Sequence, residues 1–245
     1  MTTLFRYLDL ETISSCNRTC ITCIRNSHPH KDVIQPWHEK HYLSEDVIYM
    51  AVDQAVSLGF RGGICLSHYN EPLMDERLPE IVANIRTMGK FEEIFLNTNG
   101  DFLTPELAQS LDGKLDRIII TLYMDEPQKS ERAKLVTSLF KKTEVNANIV
   151  SEHMATHYSP VFPVRDLARA HVNRPCREST IRAIINHRAQ FLLCCDDVVG
   201  NFDLGTFPET SLFDYWYGGK KAALEANLIV GNRSYHPHCS TCPRG

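Results

Sequence analysis

Through the first 150 residues, short apolar runs alternate with longer stretches whose apolar positions recur every three to four residues. The runs at 4–13, 62–66, 93–97, 117–122 and 145–150 have strand length and are bounded by glycine, asparagine or charged residues. Between the first two, Val47, Ile48, Ala51, Ala55, Val56 and Leu58 share a helical face. Ser44, Glu45 and Asp46 supply a cap and an acidic first turn, and Gly59 a stop. Residues 76–88, 104–111 and 128–142 read as further helices. Helices of this length between strands imply right-handed crossovers and a parallel sheet. Five strands, with a candidate sixth near 161–164, are too few to close an eight-stranded barrel.

From about residue 160 the alternation stops. A hairpin is expected over 181–185 and 190–194 through Asn186-His187-Arg188, followed by glycines and an aromatic helix at 212–217. The pattern therefore divides the chain at 155/156, into a core of residues 1–155 and a smaller second domain of residues 156–245. Composition is that of an ordinary globular protein, and a net charge of -4 gives no electrostatic reason to expect nucleic acid or an anionic membrane. No apolar run approaches the roughly 20 residues of a membrane span, and the N-terminus lacks a secretion-signal pattern. A cytoplasmic location is expected.

Cysteine usage changes the picture. Cys16, Cys20 and Cys23 stand at C-x3-C-x2-C spacing directly after the first strand. Three thiolates leave one position open on a metal centre that wants four. A second set, Cys176, Cys194, Cys195, Cys239 and Cys242, contains enough ligands to close a site completely. Cys65 stands apart inside an apolar strand, where packing is its expected role. On spacing alone the second set reads as iron–sulfur or as a zinc ribbon, with His236 and His238 as alternative ligands. The polar stretch 25–41, with His28, His30, His38 and His41, reads as a loop over the site.

The first motif, at the end of a first strand, resembles the radical S-adenosylmethionine (SAM) enzymes. In that family three cysteines hold a [4Fe–4S] cluster whose free iron chelates SAM. Asn70-Glu71-Pro72 after the second strand resembles the family's Gly-Gly-Glu-Pro segment, with asparagine where glycine is usual. Thr98-Asn99-Gly100 after the third strand resembles its Thr-Asn-Gly. Thr22 stands where an aromatic residue often precedes the third cysteine. The resemblance implies a partial (β/α)5–6 parallel barrel of the radical SAM type, with SAM held by Asn70, Glu71, Pro72, Thr98 and Asn99. Thr121 and Asn148, near strand ends, are further candidates for SAM or substrate contact.

The second set resembles the SPASM/Twitch extension of radical SAM enzymes. The hairpin, the Cys-x-x-Asp of Cys194 to Asp197, the aromatic helix and the terminal C-x2-C carry that likeness. It implies one auxiliary [4Fe–4S] cluster on Cys176, Cys194, Cys239 and Cys242, with Cys195 the alternative to Cys194. The same order of cysteines resembles the 2-deoxy-scyllo-inosamine dehydrogenase-like Twitch enzymes. The implied reaction is oxidation of a secondary alcohol on a sugar- or cyclitol-type small molecule, with flavodoxin or ferredoxin as external electron donor. Candidates for the proton-accepting residue are His68, Tyr69, Arg165, Arg169 and His171. An epimerase using a thiol of Cys195 or Cys65, a peptide-modifying maturase and a non-enzymatic zinc-ribbon or cluster-containing binding protein are the alternatives.

Overall fold

Strand β1 (Tyr7–Leu10) lies inside a seven-stranded sheet, with β2 (Gly63–Cys65) on one side and β6 (Arg182–Ile185) on the other, both parallel to it. The computed structural model describes residues 4–20, 23, 39–123, 126–150, 173–240 and 242. Beyond β2 the parallel order continues through β3 (Glu93–Thr98), β4 (Arg117–Tyr123) and β5 (Glu144–Val150). The seventh strand, β7 (Phe191–Leu192), returns antiparallel on β6. This is the α/β architecture with a parallel sheet that the apolar pattern predicts. Leu8, Leu10, Ile64, Ile94, Leu96, Ile118 and Ile120 are buried on one face of the sheet, where they join a core shared with helix residues such as Ile48, Ile81 and Leu111.

The crossover helices are α1 (Glu45–Ser57), α2 (Leu78–Met88), α3 (Pro105–Leu111) and α4 (Glu126–Ser138). Ser44 Oγ accepts from the Val47 amide to start α1, and Gly59, at φ 85°, follows its last turn. Thr104 Oγ1 caps α3 in the same way, with Pro105 at its first position. The strand expected near 161–164 falls outside the described residues. The sixth parallel strand is β6, from the hairpin assigned by sequence to the second domain.

The sheet thus runs from the barrel strands into the C-terminal hairpin. Helices α5 (Leu212–Tyr217), α6 (Gly219–Ile229) and α7 (Pro237–Ser240) follow it. Trp216 of α5 packs edge-on against Phe5, 5.0 Å between ring centroids, and the Leu212 amide donates to Gln54 Oε1 of α1. Helix α6 was not expected. Its buried stripe includes Lys221 and Glu225 beside Leu224 and Leu228, so a charged pair interrupts the apolar period.

Candidate active site

The cysteine loop leaves the C-terminal end of β1, and the segment before it is pinned by backbone bonds. The Leu43 amide donates to Thr12 O (3.0 Å) and the Ser14 amide to His41 O (2.9 Å). Cys16, Cys20 and Cys23 are part-exposed, with the Cys23 amide bonded to Cys20 O. The residues after β3 hold the loop from the side. Asp101 accepts from Arg18 Nε (2.7 Å), Arg18 Nη2 (2.6 Å) and Asn17 Nδ2 (2.7 Å). Burial would raise the Asp101 carboxyl, but Arg18 and Asn17 outweigh it and hold it below its usual range. Asn99 Nδ2 reaches Asn17 Oδ1 at 2.8 Å and Cys16 Sγ at 3.9 Å. Gly100, at φ 73°, makes the turn that presents Asn99 and Asp101; a side chain there would meet Ile120.

Glu71 connects the end of β2 to the end of β3. Its carboxylate is 1% exposed and accepts from the Leu73 amide (3.0 Å), Thr98 Oγ1 (2.6 Å) and the Asn99 amide (2.7 Å). Its own amide donates to Ser15 O, next to Cys16. Burial raises the Glu71 carboxyl above its usual range, against those three donors. Pro72 opens a short 3-10 turn (Pro72–Met74) capped by Glu71. Asn70 avoids the left-handed region, so asparagine costs nothing where the family has glycine. Its Oδ1 accepts from the His68 amide, and its Nδ2 is buried with no partner among the described residues, as is Ser15 Oγ. Buried orphans beside a thiol loop fit a polar guest such as the amino-acid end of SAM.

Of the remaining candidates, Thr121 and Asn148 are direct cross-strand neighbours on β4 and β5. Arg165, Arg169 and His171 lie outside the described residues, as do His28, His30, His38 and Thr22. Cys65 is buried in β2, and burial pushes its thiol up to about 12, which suits packing. At the ends of β1 and β6 the structure adds a pair that sequence reasoning missed. Glu11 accepts from the Tyr69 amide, the His187 amide and His187 Nδ1, the last at 2.7 Å. Burial would raise Glu11, but His187 outweighs it and holds the carboxyl low. His68 sits against Tyr69, and burial pushes its imidazole down to about 4.

The second cysteine set is built differently. Cys176, Cys194, Cys239 and Cys242 line one cavity of about 390 Å³, including its open mouth. Cys195 does not line it; its Sγ lies 3.9 Å from both Glu178 Oε2 and Asp196 Oδ2. Asp197 fixes the Cys-x-x-Asp loop by accepting from the Leu193 and Asn201 amides. Burial, then the neighbouring Cys242 and Cys176, push the Cys239 thiol up to about 12. Buried thiols of this kind ionise when a metal compensates them. Four thiols bordering one pocket are the donor set that an iron–sulfur cube takes. Among the described residues, no three His, Cys, Asp or Glu side chains converge on the point a single ion would occupy.

The Radical SAM superfamily profile matches residues 10–159, well over half of the chain, and the chain belongs to that superfamily. It is a radical SAM enzyme, and its cofactors are a [4Fe–4S] cluster and SAM. Over 244 residues it is 23% identical to the S-adenosyl-L-methionine-dependent 2-deoxy-scyllo-inosamine dehydrogenase of Niallia circulans, covering 99% of this chain and 94% of that one. A GTP 3',8-cyclase of Clostridium perfringens is 28% identical over 138 residues, covering 54% of this chain and 38% of the cyclase. Among solved structures, BtrN in complex with AdoMet and 2-DOIA superposes with a TM-score of 0.77 at 22% identity, covering 100% of this chain and 95% of that one. The fold is also shared with anSMEcpe with bound AdoMet, at a TM-score of 0.62 and 13% identity, covering 97% and 84%. None of the described helices is long and apolar enough to cross a membrane.

Proposed function

We propose that this chain is a radical SAM dehydrogenase that oxidises a secondary alcohol of an aminocyclitol- or sugar-type small molecule. The observation that carries the reading is the cavity bordered by Cys176, Cys194, Cys239 and Cys242. Similarity to an aminocyclitol dehydrogenase over nearly the whole chain supports it. When bound, the first cluster supplies the electron that cleaves SAM to a hydrogen-abstracting 5'-deoxyadenosyl radical, and an auxiliary cluster accepts the electron that turns the substrate radical into a ketone.

The chain's own residues divide the remaining work. Cys16, Cys20 and Cys23 hold the first cluster, and Cys176, Cys194, Cys239 and Cys242 the second. Asn70, Glu71, Pro72, Thr98 and Asn99 shape the SAM site, with Glu71 acting through the backbone it fixes. Thr121 and Asn148, paired across β4 and β5, contact SAM or substrate. His187 takes the substrate hydroxyl proton, oriented by Glu11 as carboxylates orient catalytic imidazoles. His68, with its imidazole at about 4, holds a proton poorly near neutrality. Residues 1–155 generate the radical and residues 156–245 carry the electron acceptor, although the two parts share a sheet. A flavodoxin or ferredoxin supplies the electron that starts the reaction.

The test is anaerobic reconstitution followed by incubation with SAM, a reductant and 2-deoxy-scyllo-inosamine or related cyclitols. The expected products are 5'-deoxyadenosine and the ketone in equal amounts. SAM cleavage with no oxidation across a panel of alcohols, or an epimer in place of a ketone, would overturn the dehydrogenase reading.

A further inference from the structure

Buried donor atoms of Arg233 and Ser179 border the four-cysteine cavity with no hydrogen-bond partner among the described residues. Arg233 is 1% exposed, and its Nε donates to Arg174 O (2.9 Å) and its Nη1 to Cys242 O (3.3 Å). The guanidinium thus ties the segment entering Cys176 to the last cysteine of the set. Both partners are carbonyl oxygens, and neither carries a charge. Its third nitrogen, Nη2, is buried with no hydrogen-bond partner among the described residues. Gly231 permits this approach: at φ 84°, a side chain there would lie 2.4 Å from Asn173 O.

Ser179 is the second donor. It is 1% exposed and lines the same cavity, and its Oγ also lacks a partner among the described residues. Its position is fixed from behind, because Lys221 Nζ donates to Ser179 O at 2.8 Å while sitting 3.6 Å from the Trp216 ring centroid. A buried guanidinium nitrogen with no acceptor is costly, and orphaned buried donors are rare in folded proteins. A four-thiolate [4Fe–4S] centre carries net negative charge and presents sulfur acceptors. Glu178 and Asp196 also line the cavity, so the Arg233 guanidinium sets a positive charge beside otherwise acidic lining, and Ser179 adds a neutral donor.

We infer that Arg233 and Ser179 donate to the sulfurs of the auxiliary cluster and set its readiness to accept an electron. The inference rests on the second cysteine set holding an iron–sulfur cluster. Gaining an electron adds a negative charge, which a neighbouring guanidinium and hydrogen bonds to sulfur favour. Both residues are positioning residues, since neither touches the reacting substrate.

The test is a redox titration of the full-length Cys16/Cys20/Cys23→Ala chain, followed by electron paramagnetic resonance so that the signal comes from the second site. Arg233→Gln is expected to weaken electron uptake about tenfold, which is about 59 mV for one electron. Ser179→Ala should shift it in the same direction by less, and Arg233→Lys should fall between wild type and Arg233→Gln. An unchanged potential in Arg233→Gln with full iron content overturns the inference. If Arg233→Gln fails to assemble, arginine labelled with heavy nitrogen in the parent chain decides. A pulsed-resonance nitrogen coupling that follows the label supports the inference, and its absence overturns it. No iron–sulfur signal in the parent chain removes the underlying cluster reading, and the inference falls with it.

Discussion

The two cysteine sets of this chain are built to opposite ends. Cys16, Cys20 and Cys23 sit on a part-exposed loop held at its flank by side chains that follow β3, through Asn99 and Asp101. Cys176, Cys194, Cys239 and Cys242 come from three separate segments and border one cavity with a buried guanidinium against it. A part-exposed loop carrying three thiols suits a cluster that binds a small molecule; four thiols gathered from separate segments around one pocket suit a cluster that the protein ligates completely. The comparison teaches that one thiol chemistry serves two tasks according to how much protein surrounds it.

The largest expected effect comes from removing each set in turn. Cys16/Cys20/Cys23→Ala should abolish SAM cleavage and lower iron from about eight to about four per chain. Replacing Cys176, Cys194, Cys239 and Cys242 together should leave SAM cleavage measurable while ketone formation is lost. Quantifying 5'-deoxyadenosine beside the oxidised product separates the two. Ketone made at wild-type yield by the second variant would erase the distinction between the sets.

Next in size is the support beneath the enclosed site. Lys221 and Glu225 form an ion pair, at 1% and 5% exposure, one turn apart on α6. Burial lowers the Lys221 amine from its usual range, against the opposing pull of Glu225. Removing one member of a buried pair strands the other, so Lys221→Met should cost about 3–5 kcal/mol in chemical denaturation. Lys221→Met with Glu225→Met should recover most of that loss, and failure to recover would show that the lysine matters chiefly through Ser179 O.

How much of this was legible in the sequence follows from how local each signal is. The first motif, Glu71 and the turn at Gly100 lie beside strand ends whose apolar runs are plain, so the alternation placed them. The aromatic helix at 212–217 was legible because Ser211 caps an amphipathic run. Helix α6 was not, because Gly218-Gly219 reads as a break and Lys221 and Glu225 fill core positions. The pairing of β6 with β1 was equally hidden, since strand partners are chosen by tertiary packing. Arg233, Ser179 and the Glu11–His187 pair were missed for one reason: each gains its role from residues distant in sequence. A charged or polar residue forced into an apolar run, as at Glu11 before Ile13, was the available signal.

A titration sharpens the comparison on the open side. Burial is the main cause that takes His68 from its ordinary 6.5 to about 4, against the opposing charge of Glu11. Between those values the unfolded chain binds a proton that the folded chain does not. Stability from this group is therefore fully present above pH 6.5 and is lost as pH falls toward 4, by up to about 3 kcal/mol. Asp9, pushed up to about 6 by burial despite Arg182, acts in the opposite sense over part of the same range. Urea midpoints should thus be compared between wild type and His68→Gln, and the advantage of wild type over the variant should shrink as pH falls from 6.5 toward 4. Identical slopes would mean that His68 takes its proton freely in the fold.

Glu71→Gln should have a smaller effect on stability, about 1–3 kcal/mol. Three donors converge on the carboxylate, and an amide in its place turns an NH2 group toward at least one of them. Asn99 then loses its backbone anchor, so SAM affinity should fall more than stability does. Equilibrium binding of SAM beside a thermal melt measures both. Equal losses would place Glu71 in the core rather than in the site.

The smallest effect is expected at Cys195, and it decides which of two adjacent cysteines belongs to the enclosed set. Cys194 lines the cavity, whereas Cys195 does not, and its Sγ lies 3.9 Å from carboxylate oxygens of Glu178 and Asp196. Serine at a part-exposed position that ligates nothing should change stability by no more than about 0.5 kcal/mol. Cys195→Ser should therefore keep about eight irons and full ketone formation, while Cys194→Ser should lose or convert the second cluster. The reverse result would require the Cys-x-x-Asp loop to turn when metal binds, moving Asp197 off the Leu193 and Asn201 amides. That rearrangement breaks two hydrogen bonds to a buried carboxylate, and its cost is the physical reason to assign Cys194.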